Sequence, residues 1–347
     1  MERIICLLLL GVFSLIDLSA WDCAIAAPES AKEFYHKNTV TLVVTYGPGG
    51  GTDASGRIMA ANWKAVTGGT MMVKNVTGAG GIVGMNQVYT SKPDGLTIGY
   101  TDSASSLLGP VFFKNPGIQF DATKFVYLGA NAIQPNGLGL GKGLAAESIE
   151  DLRKIKGLKF GSHGMDAQAA GSAMMIELFG LKDVRIVGGY AGMEEEGLAL
   201  ARGEVDAYSN SMGSMDDHVK KGFVKKVVLV YGYKRNPWFP DAPLPIELVK
   251  FTPEQEILYK VLFACRAAKP IFAPPGLPKD KTEFLRDAFE KLFRLETYLN
   301  QMKVRYPIID PEFHMTGEGW AKMTNEVLAY PAAERDKFIA IVNKYLK

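Results

Sequence analysis

Short apolar runs alternate with stretches of helical spacing along the first third of the chain. Residues 39–44, 70–76 and 96–101 are short, apolar and β-branched, a composition typical of strands. Two segments between them, 53–66 and 83–90, repeat apolar residues at the spacing of a helix face. This alternation predicts a largely parallel sheet, because a helix supplies the crossover that two parallel strands need.

The same alternation returns farther along the chain with different sequences. Strands are predicted at 126–129, 137–140, 159–162, 184–187, 205–209 and 224–231. Helices are predicted at 149–155, 167–179, 193–202, 279–299, 318–329 and 333–345. The pattern therefore predicts an α/β protein, and a length of 347 residues favours two domains.

Three loops share one design: each follows a predicted strand, is rich in Gly, Ser or Ala, and precedes a predicted helix. They lie at 47–53, 161–166 and 188–192. Ligands of open parallel sheets bind beyond the carboxyl ends of the strands. Glycine lets the backbone approach a ligand closely, and the following helix points free N–H groups at it. Such loops can hold an anion without Arg or Lys.

The local interpretation of the first loop is a plain strand-to-helix turn in which Asp53 caps the helix. One loop alone would favour that turn, whereas three similar loops favour a shared cleft. We expect Asp53 both to cap the helix and to face the rim of the pocket. Tyr46 precedes the glycines, and covering the ligand and packing on the strand end are equally open roles for it.

Phosphate is the main rival anion for the first loop. A Walker A loop requires a lysine after its last glycine, but Gly51 is followed by Thr52 and Asp53. The dinucleotide fingerprint is matched only weakly, because its third glycine falls on Ala54. Asp53 at the helix start would also repel a pyrophosphate. The loop therefore favours a carboxylate over a nucleotide.

Catalytic and metal-binding patterns are missing from the sequence. It has no G-x-S-x-G, H-E-x-x-H or C-x-x-C, and its four histidines are widely dispersed. His163 is the only histidine in a candidate loop, where a hydrogen-bonding role is more common than a catalytic one. We therefore predict a binding protein with no cofactor and no metal, and keep as the alternative an enzyme that uses Asp53 or His163 as a base.

Composition and the N-terminus set the compartment. The chain is 47% hydrophobic and 22% charged with a net charge of +2, which does not suit a nucleic-acid partner. Arg3, an apolar run at 4–16 and a small-x-small pattern at 24–26 predict a cleaved secretory signal over 1–26. The alternative is an uncleaved anchor, but the run is shorter than the roughly 20 residues that span a bilayer. Cleavage would leave Cys265 alone, without an intramolecular disulfide partner.

Successive segments of the chain resemble, in the same order, the signatures of a known family. They are V-V-T-Y-G-P-G-G-G-T-D at 43–53, V-K-N-V-T-G-A-G-G-I-V-G at 73–84, P-D-G-L-T-I at 93–98, G-S-H-G at 161–164, Y-A-G at 190–192, G-E-V-D at 203–206, and the Pro- and Asp-rich stretch 235–248. Together they resemble the Bug (TctC-like) family of periplasmic receptors for tripartite tricarboxylate transporters. The loop at 188–192 departs from the family by lacking its usual proline and lysine.

The resemblance implies a two-lobed periplasmic-binding-protein fold of type II, a Venus flytrap in which each lobe is a mostly parallel sheet flanked by helices. The first lobe is expected at 39–140 and is completed by 265–347, and the second lobe is expected at 141–264. The implied ligand is a small organic acid, and the implied partners are the membrane permease subunits of a tripartite transporter. We expect a periplasmic monomer that binds its ligand without turning it over. A periplasmic sensor for a signalling partner is the alternative of the same fold.

The residues that match the family's binding positions fall into two groups. Those in the first lobe are Tyr46, Gly49, Gly50, Gly51, Asp53, Thr101 and Ser103. Those in the second lobe are Ser162, His163, Gly164, Tyr190, Ala191 and Gly192. Asn210, a polar residue after the predicted strand at 205–209, completes the predicted set.

Overall fold

The strands form two separate sheets. The structure is a computed structural model that describes residues 29–102, 116–131, 136–162, 167–190, 192–232, 235–256, 258–259, 269–305, 314–329 and 331–345. The first sheet has the order β11-β4-β10-β3-β1-β2 and contains β1 (Val40–Val44), β2 (Met71–Asn75), β3 (Thr97–Tyr100), β4 (Val126–Asn131), β10 (Lys269–Ala273) and β11 (Met315–Thr316). The second has the order β7-β6-β8-β5-β9 and contains β5 (Asn136–Gly141), β6 (Leu158–Gly161), β7 (Val184–Val187), β8 (Ala207–Ser211) and β9 (Val224–Val230).

Strand directions are mixed within both sheets. In the first sheet β1 is parallel to β2 and β3, whereas β10 runs antiparallel to β3 and β4, and β11 antiparallel to β4. In the second sheet β6 is parallel to β7 and β8, whereas β5 is antiparallel to β8 and β9. The predicted α/β class is confirmed, but the sheets are less parallel than predicted. The antiparallel pairings form between strands that are distant in sequence. No crossover helix joins these partners directly, so the local pattern does not indicate their relative direction.

Helices cover the faces of both sheets. They are α1 (Ala31–Lys37), α2 (Gly51–Thr67), α3 (Ile82–Tyr89), α4 (Ile149–Leu152), α5 (Ala167–Leu178), α6 (Met193–Arg202), α7 (Met212–Lys220), α8 (Pro245–Leu248), α9 (Lys279–Arg294), α10 (Glu296–Arg305), α11 (Gly317–Leu328) and α12 (Ala332–Tyr345), with a 3-10 turn at Ala79–Gly81. Within the described parts of the chain, none of these helices has the length and apolar character that a bilayer crossing demands.

The C-terminal helices divide between the two sheets. Helices α9 and α11 pack on β4, and α10 packs on α2, so they belong with the first sheet. Helix α12 instead packs on α5 and β7, where the Glu177 carboxylate accepts hydrogen bonds from Lys344 Nζ at 2.8 Å and Tyr345 Oη at 2.9 Å. The expectation that 265–347 returns to the first lobe therefore does not extend to α12. The apolar residues of α12 belong to the same hydrophobic core cluster as those of α5.

Candidate functional site

The three parallel strands of the first sheet end side by side and bring three loops together. These loops follow β1, β2 and β3, which are neighbours in the sheet. The Thr45 and Thr101 hydroxyls lie 2.7 Å apart, and Tyr46 Oη donates to the Gly80 carbonyl oxygen at 3.3 Å. Asn75 Nδ2 donates to the Tyr46 carbonyl at 2.8 Å. Hydrogen bonds thus tie the first glycine loop to both of its neighbours.

The first glycine loop ends at the N-terminus of α2. Gly50 is the N-cap and the helix begins at Gly51, two residues before the predicted start at Asp53. Gly49 has a φ of +83°, a conformation that a residue with a Cβ adopts only with strain. Gly49 and Gly50 are both exposed. An α-helix cannot satisfy its own first amides, so the start of α2 beside this exposed turn presents N–H donors and the positive end of the helix dipole.

Asp53 is buried beneath this loop, with a side chain only 3% exposed. Its carboxylate accepts hydrogen bonds from the Gly49 amide at 2.8 Å, from Arg57 Nε at 2.9 Å and from Asn75 Nδ2 at 2.9 Å. Burial raises the pKa of Asp53, but the bonds from Arg57, Gly49 and Asn75 outweigh burial and hold the pKa below its ordinary value.

The expectation that Asp53 faces the pocket rim is therefore corrected. It reaches back from the third position of the helix to the residue before the N-cap, which is a capping role of a different geometry from the one predicted. A carboxylate with three donors in so buried a place fixes the shape of the loop.

Thr101 lies at the end of β3 and is completely buried, with its hydroxyl against that of Thr45. Thr101 therefore lies next to the first glycine loop, but its side chain faces inward. Ser103, the other predicted residue of this loop, lies outside the described residues.

The second sheet repeats the arrangement with β7, β6 and β8. Ser162 follows β6 directly and is completely buried, and its hydroxyl donates to Gln168 Oε1 at 3.2 Å. Gln168 Nε2 in turn donates to both carboxylate oxygens of Glu196, at 2.9 and 3.1 Å, and to the Ser209 carbonyl at 2.7 Å. One carboxamide therefore joins the beginnings of α5 and α6 to the end of β8.

The remaining predicted residues of this edge differ in exposure. Gly192 is the N-cap of α6 in an extended conformation, and nothing lies within 4 Å of the position that a Cβ would take there. Tyr190 is partly buried against the apolar cluster under α6 and α7, and burial raises its pKa, as do Glu204, Glu196 and Glu195 to a smaller extent. His163, Gly164 and Ala191 lie outside the described residues.

Asn210 is 5% exposed at the end of β8. Its Oδ1 accepts a hydrogen bond from the Ser211 amide at 2.7 Å. Its Nδ2 has no hydrogen-bond partner within the described parts of the chain. A buried amide donor of this kind is costly unless something accepts from it.

One cluster in the described residues has the side-chain types of a metal site. Glu194, Asp217 and His218 offer ligand atoms that lie within 4.8 Å of one another. However, Lys221 Nζ bridges the two carboxylates at 2.7 and 2.9 Å, so an ammonium already supplies the cation. His218 is buried and its Nδ1 lies 2.5 Å from Tyr208 Oη. This cluster fastens α6 to α7 and β8.

Sequence reasoning missed several residues that organise the two edges. Arg57 stands four residues after Asp53, a spacing at which a helical ion pair was predictable. Glu196 belongs to an acidic run at a helix start, which the helix dipole alone explains, so its residue type does not indicate a buried role. Asn75 and Gln168 act through partners more than 20 residues away, and no local pattern indicates such contacts.

Comparisons with known proteins bear on this geometry. Residues 56–304 match the family described as the tripartite tricarboxylate transporter family receptor, TctC. Protein BugT of Bordetella pertussis is 26% identical over 242 residues, which cover 68% of this chain and 73% of BugT.

Two solved structures from Rhodopseudomonas palustris share the fold. MatC, with bound malate, has a TM-score of 0.65 and 19% identity, and the match covers 88% of this chain and 99% of MatC. A second protein, solved with adipate, has a TM-score of 0.67 and 20% identity, and the match covers 88% of this chain and 98% of that one.

These similarities confirm the predicted resemblance and the two-lobed binding-protein fold. The family consists of solute-binding receptors rather than enzymes, and its solved relatives are periplasmic binding proteins. The family match spans most of the sequence and includes most of both sheets. The chain therefore belongs to the receptor family of the tripartite tricarboxylate transporters, TctC.

Proposed function

We propose that this protein captures a small carboxylate-containing solute between two lobes in the periplasm and delivers it to a tripartite membrane transporter. One observation carries the proposal: in each of the two sheets, a parallel strand is followed by a glycine loop and the N-terminus of a helix. In this proposal the first lobe is 39–131 with most of 265–347, and 1–26 is a removed signal. The second lobe begins at β5 rather than at the expected residue 141, because β5 lies in the second sheet, and it extends to 264. The mature receptor acts as a monomer and docks on the permease subunits.

The first lobe is the better place for the ligand's carboxylate. The turn at Gly49 and Gly50 is exposed and leads into the N-terminus of α2, and the only acid in the first turn of that helix is Asp53. Arg57 neutralises that acid at 2.9 Å, so the positive end of the helix is not cancelled. A small anion can therefore bind here through backbone amides and bridging water.

The second lobe has a different charge. The first turn of α6 carries Glu194, Glu195 and Glu196, which already complement the helix dipole. Lys221 pairs with Glu194, whereas Glu196 is buried behind the loop. Hydrogen bonding and apolar contact, with the Asn210 amide among the donors, suit this side better than a second tightly held carboxylate. Ser103, His163, Gly164 and Ala191 belong to the proposed site through their loop positions.

Closure follows from contacts on both sides of the ligand. A solute that touches the loops of both lobes binds the closed form more tightly than the open form and so shifts the population toward it. The closed receptor is then the form that the permease recognises.

Binding is tested by calorimetry and thermal shift with a panel of organic acids that includes malate and adipate. The decisive variants are Gly50→Ala and Gly192→Ala. A Cβ at Gly50 would meet only the Gly47 carbonyl oxygen at 3.6 Å, and one at Gly192 would meet nothing within 4 Å, so each methyl fits the unliganded protein. We expect each to weaken binding of the best acid about tenfold or more, which corresponds to about 1.4 kcal/mol.

Gly143→Ala is the matched control, because a Cβ there also meets nothing within 4 Å and Gly143 lies outside the loops. It should leave affinity unchanged, and all three variants should keep the melting temperature of the unliganded protein. Unchanged affinity in both loop variants would contradict the proposed site. Steady conversion of a bound acid, followed by NMR, would contradict the receptor function and favour an enzyme.

A further inference from the structure

A chain of buried hydrogen bonds runs from the first glycine loop to the point where the polypeptide leaves the first sheet. Ser55 Oγ lies 2.7 Å from the Gly51 carbonyl oxygen and 3.0 Å from Tyr100 Oη. Asn131 Nδ2 lies 2.9 Å from Tyr100 Oη, and Asn131 Oδ1 lies 3.0 Å from Tyr298 Oη. The four residues whose side chains form this series of hydrogen bonds are at most 4% exposed.

The donors of this chain all point in one direction. Tyr298 donates to Asn131 Oδ1, and Asn131 Nδ2 donates to the Tyr100 oxygen. Ser55 donates its proton to backbone carbonyls, chiefly that of Gly51, so Tyr100 is the donor in the bond that joins the two hydroxyls. The carboxamide of Asn131 sets this direction, because only an amide offers a donor on one side and an acceptor on the other.

The place of Asn131 in the fold gives the chain its significance. Asn131 is the last residue of β4 in the first sheet, and Asn136 is the first residue of β5 in the second sheet. The other end of the chain, Gly51, is the first residue of α2, beside the exposed turn that presents the amide donors.

We propose that Asn131 is a positioning residue that fixes the first glycine loop from the end of β4. This inference rests on the proposed function in assigning that loop to the ligand. The Asn131 carboxamide orients Tyr100, Tyr100 orients Ser55, and Ser55 holds the first turn of α2. The carboxamide thus acts on the loop through two hydroxyl groups rather than through a direct contact.

The test removes single hydroxyls from the chain in the full mature protein. Tyr100→Phe and Tyr298→Phe each delete one link. Tyr127→Phe is the matched control, because Tyr127 lies on the same strand as Asn131, is equally buried, and donates its hydroxyl to the Ala122 carbonyl at 2.7 Å, outside the chain. The readout is hydrogen exchange of the first bonded amides of α2, beginning at Ala54, which donates to the Gly50 carbonyl.

We expect both chain variants to speed exchange at the start of α2 about fivefold, the effect of losing about one hydrogen bond. Tyr127→Phe should change it less than twofold, although all three lower the melting temperature. Asn131→Asp should act like Tyr100→Phe, because a carboxylate accepts from both tyrosines and draws the Tyr100 proton away from Ser55. If exchange at α2 in Tyr100→Phe and Tyr298→Phe matches the control, the inference is overturned.

A second measurement separates this inference from the proposed function. Affinities for malate and adipate are measured for the same variants, and whichever acid binds the unsubstituted protein should bind both chain variants about fivefold more weakly. If neither acid nor any other of the panel binds the unsubstituted protein, the proposed function fails, and the exchange result alone decides the role of Asn131.

Discussion

Replacing Asp53 with Asn tests whether a buried charge shapes the first glycine loop. The substitution keeps the size of the side chain and one oxygen. An amide oxygen can still accept from the Gly49 amide and from Arg57, but the NH2 group then faces Asn75 Nδ2, so two donors meet where a donor and an acceptor met before.

The expected loss of stability follows from these contacts. The bond from Gly49 loses its charged acceptor, which costs about 1 kcal/mol, and the unpaired Asn75 donor costs about 1–2 kcal/mol. Removing an acid from the first turn of α2 costs roughly 0.3–1 kcal/mol. The Arg57 pair adds little, since that side chain is 54% exposed and such pairs contribute about 0–1 kcal/mol. The sum is a loss of about 2–5 kcal/mol.

The assay is urea unfolding followed by circular dichroism between pH 3 and pH 7. Because the native pKa of Asp53 is lowered, its stabilisation is complete above its unfolded pKa of about 3.9 and is lost as the pH falls through the native pKa. The difference in the free energy of unfolding between Asp53→Asn and the unsubstituted protein should therefore be constant at neutral pH and decrease below about pH 4.

The control is Asp121→Asn, because Asp121 also accepts a backbone amide, that of Thr123 at 2.9 Å, but sits in a surface turn. It should cost less than about 1 kcal/mol. Equal losses in the two variants, or an Asp53→Asn gap that does not change with pH, would refute the assignment of a special role to the Asp53 carboxylate.

Three further perturbations test other parts of the fold. Burial lowers the pKa of His218 against the opposing effect of Glu194, so the unfolded chain takes up a proton at a higher pH than the native protein does. The urea midpoint should therefore fall as the pH drops through about 6.5, and His218→Gln should remove this dependence. A Cβ at Gly317 would overlap the Tyr127 carbonyl oxygen, so Gly317→Ala should cost about 3 kcal/mol or more, and a soluble variant of unchanged melting temperature would contradict this contact. Glu177→Ala removes the acceptor of Lys344 and Tyr345, and should speed hydrogen exchange in α12 but not in α11.

Much of the fold could be predicted from local patterns. The parallel strands β1, β2, β6 and β7 lie close to where β-branched runs were found, since each is followed by a helix with its own apolar face. The glycine loops were visible for the same reason: positive φ at Gly49 and an open approach to a helix N-terminus demand glycine at the position itself.

The helix start shows where local reasoning stopped. Asp53 is a good N-cap by residue type, but Gly50 takes that position, because the Asp53 carboxylate is drawn under the loop by Arg57 and Asn75. Asn75 belongs to a neighbouring strand, so its contribution exists only once β1 and β2 have paired.

The sequence by itself thus determined the class of fold, the three loops and the family, because strand and helix periods, glycine conformations and ordered motifs are properties of neighbouring residues. Only the tertiary structure decided the antiparallel strands, the packing of α12 on the second sheet, and the buried networks around Asp53, Gln168 and Asn131. The buried networks share one physical reason. A buried polar group must find a partner, and these partners come from distant parts of the chain that only folding brings within hydrogen-bond distance.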